Sequence, residues 1–269
     1  MKKTMKPDNA KRKNDILLNA LYPKQCVCCT ALIEPDEELC DDCLRNIERI
    51  DAAKRCGKCG LEKKDCVCKL YVFHFEGCVA PFYNEGLARR GLYSYKLNNR
   101  QHYGMFFARE MAKTVLSEYN GIDFDAVCFV PSSLKSLGTK GFNHSRELAR
   151  IVSELLKLPL IDNVLVRKNM FFAQHKRSRK KRFSEVRKIY SYKQEESYRL
   201  KNKTVLLVDD IKTTGATLDE CSRQLLFAGA DKVYCVTAII SPYKREKNEN
   251  KKIRKPKNIL KRFGEKINN

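Results

Sequence analysis

Nine of the thirteen cysteines fall between Cys26 and Cys68, and eight of these fall in pairs: Cys26-x2-Cys29, Cys40-x2-Cys43, Cys56-x2-Cys59 and Cys66-x-Cys68, with intervening gaps of ten, twelve and six residues. Two thiolates two residues apart can face one ion from a tight turn, and two such knuckles complete a tetrahedral Zn²⁺ site. Gly57 and Gly60 around the third pair suit a turn in which backbone amides approach sulfur. The competing arrangement is a disulfide framework, which needs an oxidising compartment. No export signal is expected. The basic start precedes only a short apolar patch, Ile16 to Tyr22, which contains Asn19 and runs into Pro23 without a small-residue cleavage site. A cytoplasmic protein with structural zinc is therefore the expectation. The eight paired cysteines are its candidate ligands, the second set being weakened by its shortened Cys66-x-Cys68 spacing. Spacing leaves open whether the pairs close in order or interleave. Cys28 is read as a bystander able to replace a neighbour. So small a module has little core, and the metal is expected to supply much of its folding free energy.

Downstream the pattern changes. The chain has 269 residues, room for one or two domains, and its 43% hydrophobic content excludes a wholly disordered protein. No apolar run approaches the roughly 18 residues of a membrane span. Helices are expected at 85–98 and 103–119, the second with Phe106, Phe107, Met111, Val115 and Leu116 near one face. A strand from Asp125 to Val130 precedes a helix at 144–157, whose inward stripe is Leu148, Ile151, Val152 and Leu155. Val164 to Val166 and Thr204 to Val208 read as strands. A helix at 216–229, with Gly229 at its C-terminal cap, leads to a strand from Lys232 to Ile240. The scattered Cys78, Cys128, Cys221 and Cys235 read as small buried hydrophobes. Strands alternating with helices argue for an α/β fold whose mostly parallel sheet is flanked by helices on both faces. The expected divisions are a basic disordered N-terminus at 1–15, the zinc-binding module at 16–75, the α/β domain at 76–241 and a basic disordered tail at 242–269.

The stretch Val205-Leu-Leu-Val-Asp209-Asp210-Ile-Lys-Thr213-Thr214-Gly215-Ala216-Thr217 carries the most chemistry. An apolar strand delivers two carboxylates to its C-terminal end, where ligands bind in open α/β sheets. The Thr-Thr-Gly-Ala-Thr turn then opens a helix. Its amides and hydroxyls make an anion site, and Gly215 permits close backbone approach. The carboxylates would repel a phosphate unless they face sugar hydroxyls or hydrated Mg²⁺. A ligand with both phosphate and ribose follows. The glycine spacing fits neither a Walker A loop nor a Rossmann fingerprint.

Val208-Asp209-Asp210 with Thr213-Thr214-Gly215-Ala216-Thr217 resembles the phosphoribosyl pyrophosphate (PRPP) loop of type I phosphoribosyltransferases. The wider chain, about residues 16–241, resembles the ComF family of ComFC-like competence proteins. The matching residues include Tyr22-Pro23-x-x-Cys26-x-x-Cys29, Leu39-Cys40-x-x-Cys43, Cys56-x-x-Cys59-Gly60, Val130-Pro131-Ser132-Ser133, Gly141-Phe142-Asn143-His144-Ser145, and Gln174 with Arg179 and Arg182. The resemblance implies that Thr213 to Thr217 hold a 5′-phosphate and that Asp209 and Asp210 hold ribose hydroxyls. It also implies that the loop at Ser132 and Ser133 meets pyrophosphate, with Mg²⁺ bridging pyrophosphate and sugar. A role in natural transformation, handling incoming single-stranded DNA with the DNA-uptake machinery, is implied as well. Lys212 departs from the family pattern, standing where an apolar residue is common.

Charge bears on the partner. The formal net charge is +22, but it is concentrated: residues 1–24 are net +5, 167–203 net +11 and 244–269 net +8, leaving the remainder net −2. Such segments serve either as solvated surface or as contacts for a polyanion. Residues 174–183, with six basic side chains, are a candidate lid over a pyrophosphate site. No catalytic base stands out, since His144 lies at a helix start where capping or packing suffices. Two functions are expected: a PRPP-binding protein of DNA uptake, or an active phosphoribosyltransferase with an unknown acceptor.

Overall fold

The structure, a computed structural model, describes residues 23–97, 103–132, 142–168, 186 and 189–243. Its two cysteine knuckles are built alike. In the first, the Cys26 amide donates to the Ala31 carbonyl at 2.7 Å and the Thr30 amide donates to the Cys26 carbonyl at 2.9 Å. In the second, the Cys56 amide donates to Leu61 at 2.7 Å and the Gly60 amide to Cys56 at 2.9 Å. Thr30 and Gly60, at φ 68° and 75°, make the same left-handed reversal. The closing halves differ. Cys40 caps and Cys43 lies within a short helix, α1 (Asp41–Asn46), whereas Cys66 and Cys68 follow a tight turn at Lys63–Asp65.

The remaining elements are β1 (Gly77–Val79), β2 (Phe82–Tyr83), α2 (Gly86–Leu97), α3 (Tyr103–Glu118), β3 (Ala126–Phe129), α4 (His144–Leu156), β4 (Leu165–Arg167), β5 (Tyr190–Tyr192), β6 (Thr204–Lys212), α5 (Ala216–Phe227) and β7 (Lys232–Ile240). Among the described residues the main sheet runs β1-β7-β6-β3, with β2 also on β7, and every pairing is parallel. Strands covered on both faces are apolar throughout. Accordingly Val205 to Val208 of β6 and Cys235 to Ile240 of β7 are all buried. β4 and β5 form a separate antiparallel pair, so the short strand near Val164 does not extend the main sheet.

Alternating side chains of β6 feed two cores. Leu206 and Val208 join residues of α2, α3 and α4, while Val205 and Leu207 join residues of α5. The cysteine region divides between the same two cores. Val27, Cys28, Leu39 and Ile47 enter the first, and Cys59, Leu61, Val67 and Phe75 enter the second. One knuckle therefore packs on each face. Their apolar residues find a core by sharing that of the sheet. A Cβ on Gly60 would lie 2.6 Å from the Cys78 carbonyl oxygen in β1, an approach that requires glycine. Buried Arg55 donates to that carbonyl at 3.2 Å and pairs with Glu118 of α3.

Cys78, Cys128, Cys221 and Cys235 are buried, as expected. Two leucines depart from their expected faces. Leu116 is 66% exposed, because Val115 takes the inward position and Leu116 lies about 100° further round α3. Leu155 is 45% exposed; at that end of α4 the core contacts pass to Leu156 and Leu158. No helix among the described residues is long and apolar enough to cross a membrane.

Candidate metal centres and anion site

The structure gathers the paired cysteines in order. The sulfurs of Cys26, Cys29, Cys40 and Cys43 lie within 4.8 Å of one another, and so do those of Cys56, Cys59, Cys66 and Cys68. A tetrahedral ion with Zn–S bonds of about 2.3 Å places its sulfurs roughly 3.8 Å apart. The observed separations are 3.6 Å for Cys29–Cys40, 3.9 Å for Cys56–Cys68, 3.8 Å for Cys59–Cys66 and 3.4 Å for Cys56–Cys66. These are far from the roughly 2.05 Å of a disulfide. The donor sets fit Zn²⁺. Burial opposes ionisation of Cys26, yet the amides of Cys40, Cys29 and Cys28 hold its thiol down to about 7. Cys56 is likewise held to about 7 against burial, by the Cys59 and Lys58 amides and the Cys66 thiol. Cys28 stands outside both sets, its thiol pushed up to about 12 by burial.

The second cluster lies at the other end of the sheet's chemistry. β6 does not stop at Val208. Its pairing with β7 continues through Asp209↔Thr237 to Lys212↔Ile240, so both carboxylates are embedded in a strand. Asp209, 7% exposed, accepts from Ser145 Oγ at 2.8 Å and from the Asp210 amide at 2.9 Å. Asp210 pairs with Lys96 Nζ at 2.7 Å. Burial, reinforced by the Asp210 charge and opposed by Ser145, pushes the Asp209 carboxyl up to about 7.

That shift has a stability consequence with a definite sign. A carboxyl whose folded pKa exceeds its unfolded value keeps its proton longer in the folded state. Stability therefore falls as pH rises from near 3.8 to about 7, then levels off. Asp209→Asn keeps the Ser145 acceptor and removes the titration. Denaturant melts at closely spaced pH are expected to lose that decline in the variant; an unchanged slope would assign it to other groups.

After β6 the chain turns at Thr213 and Thr214 into Gly215, which caps α5 at φ 87°. Thr214 Oγ1 accepts from the Ala216 amide at 3.3 Å. The first-turn amides of a helix lack intrahelical partners and, with the helix dipole, favour an anion. The turn is covered from the cysteine side. Phe73 lies against Gly215, and the His74 amide and Nδ1 reach Asp219 of α5 at 2.8 and 2.9 Å. β3 is paired in parallel with β6, Phe129 opposite Val208, so Ser132 leaves the sheet at the same edge as Asp209. Ser133 lies outside the described residues, as do Gly141, Gln174, Arg179, Arg182 and the candidate lid at 174–183.

Residues 139–267 match the family model of the phosphoribosyl transferase domain, and residues 17–70 match that of the double zinc ribbon domain. The chain fits a phosphoribosyltransferase-like protein with an N-terminal zinc module. No curated protein matches it. Similar solved structures include a glutamine PRPP amidotransferase from B. subtilis complexed with ADP and GMP. It is 21% identical, with 50% of this chain and 25% of that chain covered and a TM-score of 0.34. Adenine phosphoribosyltransferase from Thermoanaerobacter pseudethanolicus is 12% identical over 54% of this chain and 83% of that one, TM-score 0.34. A hypothetical protein from Neisseria gonorrhoeae with bound ppGpp is 15% identical over 55% and 74%, TM-score 0.33. The chain thus spans about a quarter of the amidotransferase's length.

Three roles escape sequence reasoning. Ser145 and Lys96 become partners of the carboxylates only through tertiary approach, 64 and 114 residues away in sequence. His144 is not the cap of α4: Asn143 is, accepting from the Arg146 amide at 3.2 Å. The His144 ring instead packs edge-on against Tyr95 and Phe142, at centroid distances of 4.8 and 5.1 Å.

Proposed function

We propose that the chain binds PRPP or a related phosphoribosyl ligand across the end of β6. In this reading Thr213, Thr214, Gly215, Ala216 and Thr217 take the 5′-phosphate, Asp209 and Asp210 take the ribose hydroxyls, and Ser132 and Ser133 face pyrophosphate. The reading is supported by one observation above all. A buried and a partly buried carboxylate continue directly into a glycine-capped helix start, pairing sugar acceptors with phosphate donors on one strand–turn–helix unit. Mg²⁺ supplied with the ligand would neutralise the pyrophosphate, and the two aspartates are the oxygen donors nearest its sugar side. Zinc module and binding domain are assigned to 16–75 and 76–241, with the protein acting in the cytoplasm. Used catalytically, the same site would transfer phosphoribose from PRPP to a small acceptor. Calorimetric titration of PRPP with and without Mg²⁺ tests the reading: Mg²⁺-dependent binding is expected, and no heat at any Mg²⁺ concentration would end it.

A second reading, a ComF-like role in DNA uptake during natural transformation, is favoured by the charge distribution, net +11 over residues 167–203. Affinity for single-stranded DNA should then fall steeply with salt and be lost when the Lys and Arg of 176–182 are neutralised. A flat salt response would remove DNA as a partner.

A further inference from the structure

Lys212 is the most unusual side chain of the anion site. It ends β6, is 1% exposed, and its Nζ has no hydrogen-bond partner among the described residues. An ammonium held dry and unpaired is costly, and such groups ordinarily find an anion or lose their charge. Position makes matters worse. A Cβ on Gly215 would sit 3.2 Å from Lys212 Cε and 3.7 Å from Nζ, so the side chain runs directly under the N-terminal cap of α5. The positive end of a helix dipole lies there, and it repels a second cation. The nearby acids are engaged: Asp219 with His74, Asp209 with Ser145 and Asp210 with Lys96.

Two sources of positive potential thus converge on one turn: the amide-bearing helix start and a buried ammonium. We infer that Lys212 is an affinity determinant for the ligand's 5′-phosphate, a fixed counter-charge beneath the Thr213–Thr217 turn. The inference rests on the phosphoribosyl reading and deepens it, because the turn then selects a dianionic phosphate monoester through its charge as well as its amides. It also explains why a lysine occupies a core position beside Phe73 and Cys78, where an apolar side chain would fold more easily.

The test compares wild type with Lys212→Met and Lys212→Gln, titrating ribose 5-phosphate and PRPP by calorimetry and melting each ligand-free protein. A charge-assisted contact of this kind is expected to be worth about 10- to 100-fold in affinity. Ribose 5-phosphate should therefore bind the methionine variant that much more weakly. The same variant, free of an unpaired buried cation, should melt higher than wild type. Weaker binding from a more stable protein is a result that a purely structural lysine would not give. The glutamine variant carries the same comparison if the methionine variant does not fold. Wild-type affinity in the variants overturns the inference while leaving the ligand reading intact. Absence of binding to wild type fails the ligand reading itself.

Discussion

Replacing Asp209 and Asp210 together by alanine is expected to abolish measurable PRPP binding in the presence of Mg²⁺. In the proposed site each carboxylate would accept from a sugar hydroxyl, and a hydrogen bond to a charged group contributes roughly 1.5–3 kcal/mol. Losing both weakens binding by about 3–6 kcal/mol, enough to carry a micromolar ligand beyond calorimetric detection. The fold should survive. Asp209 is a buried carboxyl forced toward its protonated form by burial and by its neighbour, so its removal relieves repulsion. Lys96, whose partner is Asp210, is only partly buried and can rehydrate. Circular dichroism and calorimetry on the same preparation separate the two effects. Unaltered PRPP affinity in a folded double variant would take the carboxylates out of the binding site.

Removing zinc should have the larger structural effect. Metal analysis is expected to return two Zn²⁺ per chain, one for each cysteine quartet. Structural zinc in small fingers contributes apparent free energies of about 10–16 kcal/mol at neutral pH. That rivals the roughly 5–15 kcal/mol net stability of a whole domain. Each knuckle also lends apolar side chains to the sheet: Val27 and Leu39 to one face, Leu61 and Val67 to the other. Chelation under reducing conditions is therefore expected to loosen the entire molecule, seen as a large fall in melting temperature and loss of near-ultraviolet dichroism. Cys59→Ser should lose one equivalent and disturb the face that carries α5. Cys26→Ser should lose the other and disturb the opposite face. A zinc-stripped, reduced protein that melts like the untreated one would refute a structural metal.

Long periodic elements were legible from the residues alone. α2, α3, α4 and β7 lie within two residues of their expected bounds, because helical stripes and an unbroken apolar run do not depend on distant partners. β1 and β2, at three and two residues, carry no alternation to read; they are strands because β7 pairs with them. The same partner extends β6 four residues beyond its apolar run, drawing Asp209, Ile211 and Lys212 into the ladder and holding Asp210 within the strand. At the candidate site, the carboxylates and the glycine-capped helix start were visible in the Asp-Asp and Thr-Thr-Gly-Ala-Thr pattern. Their support was not. Ser145 on α4 and Lys96 on α2 reach the carboxylates across the fold, and no local spacing encodes that. The closing order of the cysteine pairs likewise needed coordinates, since both orders satisfy the same spacing.

The edge strand β1 sets an order of events during synthesis. Gly77 pairs with Tyr234, and among the described residues β1 has no other strand partner, so its place in the sheet waits until β7 has left the ribosome. The cysteine quartets close over short stretches of chain and can load metal long before that. β7, the last long strand among the described residues, lies between β1 and β6, so it is the strand that joins the segment after the cysteine quartets to the rest of the sheet.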